Sequence, residues 1–261
     1  PSSNTPVCVG NSLNLTSTTA TSYLWIGPNS FSSTVQNPSI SNVSIVAGGT
    51  YTLRITNAGG CTATATTAVT VSAKPNPSPS SNSPQCAGQT LTFNSAAGMT
   101  TYSWAGPNSF TSSIQNPSIS SATSAANGTY SITVTNASGC TASATTAVTI
   151  NAPPSSPTGT SNPSICNHAT ASLTATCASG NVTWYGSNSS TFLQTGSPYT
   201  TLPLTANATY NVRCEGAVCN SAFVAVNVTV NSIVSVPTVT LTSPSIVCSP
   251  SILNLTASGC A

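Results

Sequence analysis

"YLWIGPNSFSSTVQNPSIS" occupies residues 23–41, and "YSWAGPNSFTSSIQNPSIS" occupies residues 102–120. The same phrase thus recurs with a shift of 79 positions. Self-similarity at a fixed period is the signature of a repeat architecture, in which each copy is one structural unit.

Other landmarks recur in step with the phrase. A Cys comes first (Cys8, Cys86, Cys166), then a Trp (Trp25, Trp104, Trp184), then a Tyr (Tyr51, Tyr130, Tyr210) and finally a second Cys (Cys61, Cys140, Cys219). Cys248 opens a fourth copy, with Leu253 and Leu255 placed as Leu13 and Leu15 are after Cys8. The joints "AKPNPSPSSNSPQC", "NAPPSSPTGTSNPSIC" and "SVPTVTLTSPSIVC" are rich in Pro and Ser, and Pro stiffens such connections. Four modules follow: residues 1–73, 74–151, 152–231 (a sister type) and the start of a truncated fourth, 232–261. The chain begins inside a repeat and is read as part of something longer.

Within each copy, apolar residues alternate with a period of two, which is strand patterning. Tyr51, Leu53 and Ile55 face one way, as do Tyr130, Ile132 and Val134, and Tyr210, Val212 and Cys214. Gly, Asn and Pro punctuate these runs every eight to twelve residues, the spacing of a β-sandwich. A Trp on an early strand followed by Gly-x-Tyr on a late one adds an immunoglobulin-like character. The expected fold is all-β: tandem immunoglobulin-like sandwiches in an elongated string. The core anchors are Trp25, Trp104, Trp184, Tyr51, Tyr130 and Tyr210. Tyr23, Phe31, Tyr102 and Phe110 flank the "GPN" loops and read as plugs under those loops rather than as a sugar-stacking platform.

Ten cysteines occur without any Cys-x-x-Cys, and a single His offers little to zinc. The near-equal long spans predict disulfides inside each module: Cys8–Cys61, Cys86–Cys140 and Cys166–Cys219, with Cys177–Cys214 added in the third. Such bonds persist outside the cytoplasm, so the expected location is extracellular or on a cell surface. Cys248 and Cys260 are expected to pair beyond residue 261.

Charge is nearly absent. Charged residues are 2% of the chain, against about 25% in an ordinary soluble domain. They are Arg54, Lys74, Arg213 and Glu215, with His168 the sole histidine. There is no basic tract to attract nucleic acid and no run of about 20 apolar residues to span a bilayer. One carboxylate cannot make a glycosidase pair, and no Asp exists for a Ser-His-Asp triad. No enzyme activity, cofactor or metal site is therefore expected. His168 reads as a solvated loop residue, and Glu215 as a partner for Arg213 or Arg54.

The motifs "Cys-x-Gly-x-(Ser/Thr)-Leu", "Tyr-x-Trp-x-Gly-Pro-Asn-x-Phe", "Gln-Asn-Pro-Ser-Ile", "Gly-Thr-Tyr" and "Thr-Asn-Ala-x-Gly-Cys-Thr-Ala" resemble the immunoglobulin-like/PKD-like repeats of Bacteroidota cell-surface proteins. "Val-Thr-Trp-Tyr" and "Ala-Thr-Tyr-Asn-Val-Arg-Cys" in the third module resemble a sister repeat. The resemblance implies very large secreted adhesins, often exported by the type IX system, with SprB-like gliding adhesins among them. It implies a structural and adhesive stalk mediating attachment, with gliding as a further use. Partners on this reading are extracellular polysaccharides or surfaces, other copies, or secretion and motility machinery. A carbohydrate-binding module, or an accessory region of a secreted enzyme, is the alternative.

Overall fold

The computed structural model describes residues 1–232. The truncated fourth module and its Cys248 and Cys260 lie outside the described residues. The chain divides into one unit of Pro1–Asn151 and a second from Ala152 onward.

The first unit holds two sandwiches of the same design, each with its own core. In the first, Ser2–Ser3, Leu13–Thr16 and Ser39–Ile40 form one antiparallel sheet. The facing sheet orders Phe31–Ser33, Ser22–Gly27, Gly49–Thr56 and Thr62–Val69. After the cis Thr5–Pro6 bond, Val7–Cys8 runs parallel to Val71–Ser72. The second sandwich repeats every element, including the parallel pair Gln85–Cys86 with Ile150–Asn151.

The repeated phrase supplies the wiring of this fold. Asn29 and Ser30 both have left-handed φ, and the Phe31 N–H donates to the Pro28 carbonyl at 3.2 Å. These two left-handed residues reverse the chain within the three positions that separate the paired Gly27 and Phe31. Phe31 then meets Tyr51 edge-on at 5.5 Å. In "QNPSI", the Gln36 carbonyl accepts the Trp25 indole N–H at 3.2 Å, and the Gln36 amide donates to Ser17. The Asn37 side chain accepts from the Ser17 N–H, and the Pro38 carbonyl from Leu15. Gln115, Asn116 and Pro117 make the same four bonds to Trp104, Ser95 and Phe93. The "QNP" part of the phrase recurs because its groups satisfy backbone and indole groups that the sandwich would otherwise strand.

Trp25, Trp104, Tyr51 and Tyr130 are fully buried. The Tyr51 hydroxyl donates to the Ala47 carbonyl at 2.9 Å, and Tyr130 to Ala126 at 3.0 Å. Each is a tyrosine corner, which ties the start of a late strand to the backbone just upstream.

The second unit carries the third sandwich. Its main sheet orders Ser164–Cys166, Val224–Asn231, Ala208–Glu215, Asn181–Tyr185 and Phe192–Thr195. Ser172–Leu173 pairs with Tyr199–Thr200 on the other side. Trp184 is fully buried and donates to the Gly196 carbonyl at 3.0 Å. Tyr210 departs from its expected role as a core anchor. It is half-buried, packing on Tyr199 at 5.6 Å, and the corner is missing from this module.

Candidate functional site

The cysteine arrangement differs from the one expected. Cys8 is bonded to Cys140, a residue of the next sandwich, with 5.6 Å between the Cα atoms. The pairs Cys8–Cys61 and Cys86–Cys140 are therefore not formed. Register explains why. Cys8 lies beside Ser72, at the far end of the closing strand. Cys61 sits in the turn before Thr62, where that strand starts. From Thr62 to Ser72 the chain rises by about 3.3 Å per residue, so the two cysteines occupy opposite poles roughly 30 Å apart. A disulfide needs Cα atoms within about 7 Å. Cys86 beside Asn151 and Cys140 before Thr141 stand apart in the same way. Cys166 aligns with Asn231, at the opposite end of Val224–Asn231 from Cys219, so the expected Cys166–Cys219 bridge is not made either. Equal spacing in sequence had marked equivalent positions in successive modules, not bonded partners.

The joint between the first two sandwiches is built from a turn. Asn136 opens it: its N–H donates to the Cys140 carbonyl at 3.0 Å, and its side-chain oxygen accepts the Cys140 N–H at 3.0 Å. Gly139, at φ 79°, lets the chain close. The Asn136 side-chain N–H₂ then reaches across to the Ala73 carbonyl at 3.0 Å. The Cys140 sulfur, almost fully buried, lies 3.8 Å from the Ser72 carbonyl oxygen. One covalent bond and one hydrogen bond thus fasten the turn of the second sandwich to the pole of the first. Asn136 was missed in the sequence, although "Thr-Asn-Ala-x-Gly-Cys" placed an Asn four residues before the Cys in both copies.

In the third sandwich Cys177 is bonded to the buried Cys214, with 5.7 Å between the Cα atoms. The same module holds the ion pair Arg213–Glu215, at 2.6 Å. The guanidinium lies between two rings, 4.9 Å from the centroid of Tyr185 and 4.7 Å from that of Phe223. The Tyr185 hydroxyl donates to the Glu215 carboxylate. That bond, opposed by burial and reinforced by Arg213, holds the Glu215 carboxyl below its ordinary range. The Tyr185 phenol is pushed up, first by its bond to Glu215 and then by burial. Every hydrogen-bonding and ring partner here is internal, so the cluster reads as a structural clasp.

His168 is exposed in a left-handed turn, at the position that Gly10 and Gly88 hold in the other modules. Phe31 and Phe110 pack on Tyr51 and Tyr130, and the hydroxyls of Tyr23 and Tyr102 bond to the carbonyls of Ala20 and Ala96. These aromatic rings are committed to their own modules. A cleft of about 320 Å³ floored by Phe110 and Tyr130 carries no charged group. Among the described residues, no group of three or more His, Cys, Asp or Glu side chains is placed to hold a metal ion. No helix among them is long and apolar enough to cross a membrane.

The sandwiches are immunoglobulin-like β modules in tandem. Residues 154–231 match the family model described as an Ig-like domain, CHU_C associated. No curated protein matches the chain. Among solved structures, the N-terminal eight Ig domains of Down syndrome cell adhesion molecule align over 87% of this chain at 14% identity, with a TM-score of 0.44. The chain spans 35% of that molecule. Three N-terminal domains of the highly immunogenic outer capsid protein of bacteriophage RB49 align over 87% of this chain and 95% of theirs, at 11% identity and a TM-score of 0.42.

Proposed function

We propose that this chain is a load-bearing structural and adhesive segment, a length of stalk in a large secreted protein of a bacterial surface. It performs no catalysis. The observation that carries the reading is the Cys8–Cys140 bond between neighbouring sandwiches. A disulfide inside a module stabilises only that module. One between modules carries tension from the first sandwich directly into the second. The residues it encloses are then shielded from force.

Further features suit this role. Disulfides of this kind persist in oxidising surroundings, which supports a location outside the cytoplasm. Three basic side chains in the whole sequence leave few sites for trypsin-like proteases. Repetition lengthens the thread and multiplies weak contacts with a surface. Gliding motility and type IX export rest on the resemblance to Bacteroidota surface repeats.

Single-molecule pulling on the full chain tests the proposal. Cys8 and Cys140 are 132 residues apart, and an extended residue spans about 3.5 Å. Opening this bond with reductant is expected to lengthen the fully stretched chain by roughly 45 nm, beyond the roughly 13 nm released by the Cys177–Cys214 loop of 37 residues. A gain no larger than the Cys177–Cys214 share would mean that the bond carries no load, and the stalk reading would fail. A glycan array on the same protein addresses the alternative, since strong binding to one sugar class would instead favour a recognition module.

A further inference from the structure

The turn that receives Cys8 in the second sandwich has a twin in the first. The Asn57 N–H donates to the Cys61 carbonyl at 3.0 Å, and the Gly60 N–H to the Asn57 carbonyl at 3.1 Å. The Asn57 side-chain oxygen accepts the Cys61 N–H at 3.0 Å. The matching distances around Asn136, Gly139 and Cys140 are all 3.0 Å. Gly60 has φ 80° and Gly139 has φ 79°. The two turns are the same object.

Their surroundings differ. In the second sandwich, Cys140 holds Cys8 and the Asn136 side chain holds the Ala73 carbonyl. In the first, Cys61 is an exposed free thiol. The side-chain N–H₂ of Asn57, also exposed, has no partner among the described residues. A turn preorganised for a partner in one copy stands open in the other.

We infer that the Asn57–Cys61 turn is a covalent docking site for the Cys8-type pole of another module of this same kind. The incoming module would present what the first sandwich presents to the second: a cysteine ending a short strand beside the closing strand, with two carbonyls just beyond it. Those carbonyls correspond to Ser72 and Ala73. Asn57 binds the second carbonyl and so aligns the two sulfurs. The bond forms by thiol–disulfide exchange. The incoming cysteine arrives as a mixed disulfide with a small thiol of the glutathione class. The Cys61 thiolate, its proton released to solvent, attacks the incoming cysteine's sulfur. The old S–S bond breaks, the Cys61–Cys bond forms, and the small thiolate leaves and takes up a proton. This inference rests on the turn geometry and stands whether or not the protein bears load.

The test joins two full-length chains. The donor carries Cys61→Ser, Asn136→Ala and Cys140→Ser, and its freed Cys8 is loaded with glutathione. The acceptor is the unaltered chain. A second donor with only Cys61→Ser and Cys140→Ser guards against misfolding of the first. Retention of Cys177–Cys214 checks that each is folded. Non-reducing peptide mapping should show Cys8–Cys61 linkage forming at least tenfold faster than Cys61 reacts with glutathione disulfide alone. Asn57→Ala in the acceptor, which keeps the thiol, should bring the rate down toward that background. Linkage from neither donor above background, predominant Cys61–Cys61 dimers, or an Asn57→Ala acceptor as fast as the unaltered chain would each overturn the proposal.

Discussion

Gly27 lies directly beneath the ring of Tyr51: a Cβ built on Gly27 would come within 2.3 Å of the ring carbon Cδ1. Gly106 stands in the same relation to Tyr130. The glycine of "GPN" is thus required by a close approach, because the buried tyrosine occupies the space that any side chain would need. Overpacking of this kind costs about 1–3 kcal/mol. Gly27→Ala and Gly106→Ala should each destabilise their own module by about that much in denaturant unfolding. Gly60→Ala is the contrast. Nothing lies within 4 Å of its added Cβ, so only the strain of a left-handed alanine, about 1 kcal/mol, should be lost.

The corner tyrosines give a second prediction. Replacing Tyr51 or Tyr130 by Phe leaves the Ala47 or Ala126 carbonyl without its buried donor, at a cost of about 1–2 kcal/mol. Tyr210→Phe, in the module that lacks the corner, should cost less. Burial raises the phenol pKa of Tyr51 and Tyr130 above the ordinary tyrosine value of 10.0. A folded pKa above the unfolded one means stability that is complete below pH 10 and declines as pH rises toward the folded value. Alkaline titration monitored by tyrosinate absorbance and unfolding midpoint should show this loss for the wild type and a smaller one for Tyr51→Phe.

The bond between modules can be read on a gel. Lys74 is the one lysine in the chain and lies in the joint. A protease that cuts on the amino side of lysine should sever Ala73–Lys74. The fragments should migrate together without reductant and separate with it. In Cys140→Ser they should separate under both conditions. The chain-entropy model gives about 5 kcal/mol for closing a loop of this length and about 4 kcal/mol for Cys177–Cys214. Cys177→Ser should therefore cost the third module several kcal/mol in its denaturation midpoint.

Acid should act on the third module through Glu215. Its folded pKa lies below the ordinary glutamate value of 4.5, chiefly because Tyr185 donates to it. A depressed carboxylate contributes stability that is present above the unfolded pKa and disappears as pH falls through the folded one. The unfolding midpoint of this module should drop below about pH 4.5. Glu215→Gln should flatten that dependence, with a loss of about 1 kcal/mol at neutral pH, the scale of a partly exposed ion pair.

Much of this architecture was legible in the sequence because it is written locally. The period-two pattern of Tyr51, Leu53 and Ile55 encodes one buried strand face, and the shared landmarks delimit copies of one unit. The module interiors followed from that. The pairings expected for Cys8, Cys86 and Cys166 did not hold, since a Cys-to-Cys interval counts residues but says nothing about which pole of a sandwich each one reaches. Only the switch of the first strand, which puts Cys8 beside Ser72, resolves it. Cys177–Cys214 was readable because Cys214 takes the inward place of Ile55 and Val134 on its strand. Tyr210 was misread because its motif survives in the third module while the backbone turn that would accept its hydroxyl does not.

A cysteine that must wait for the following module imposes an order on assembly. While the polypeptide emerges from its amino end, Cys8 has no mate until residue 140 has appeared and its turn has folded. An incomplete or stalled molecule would display that waiting thiol, and a finished one would hide it. The oxidation state of this joint thereby records whether manufacture reached the next bead.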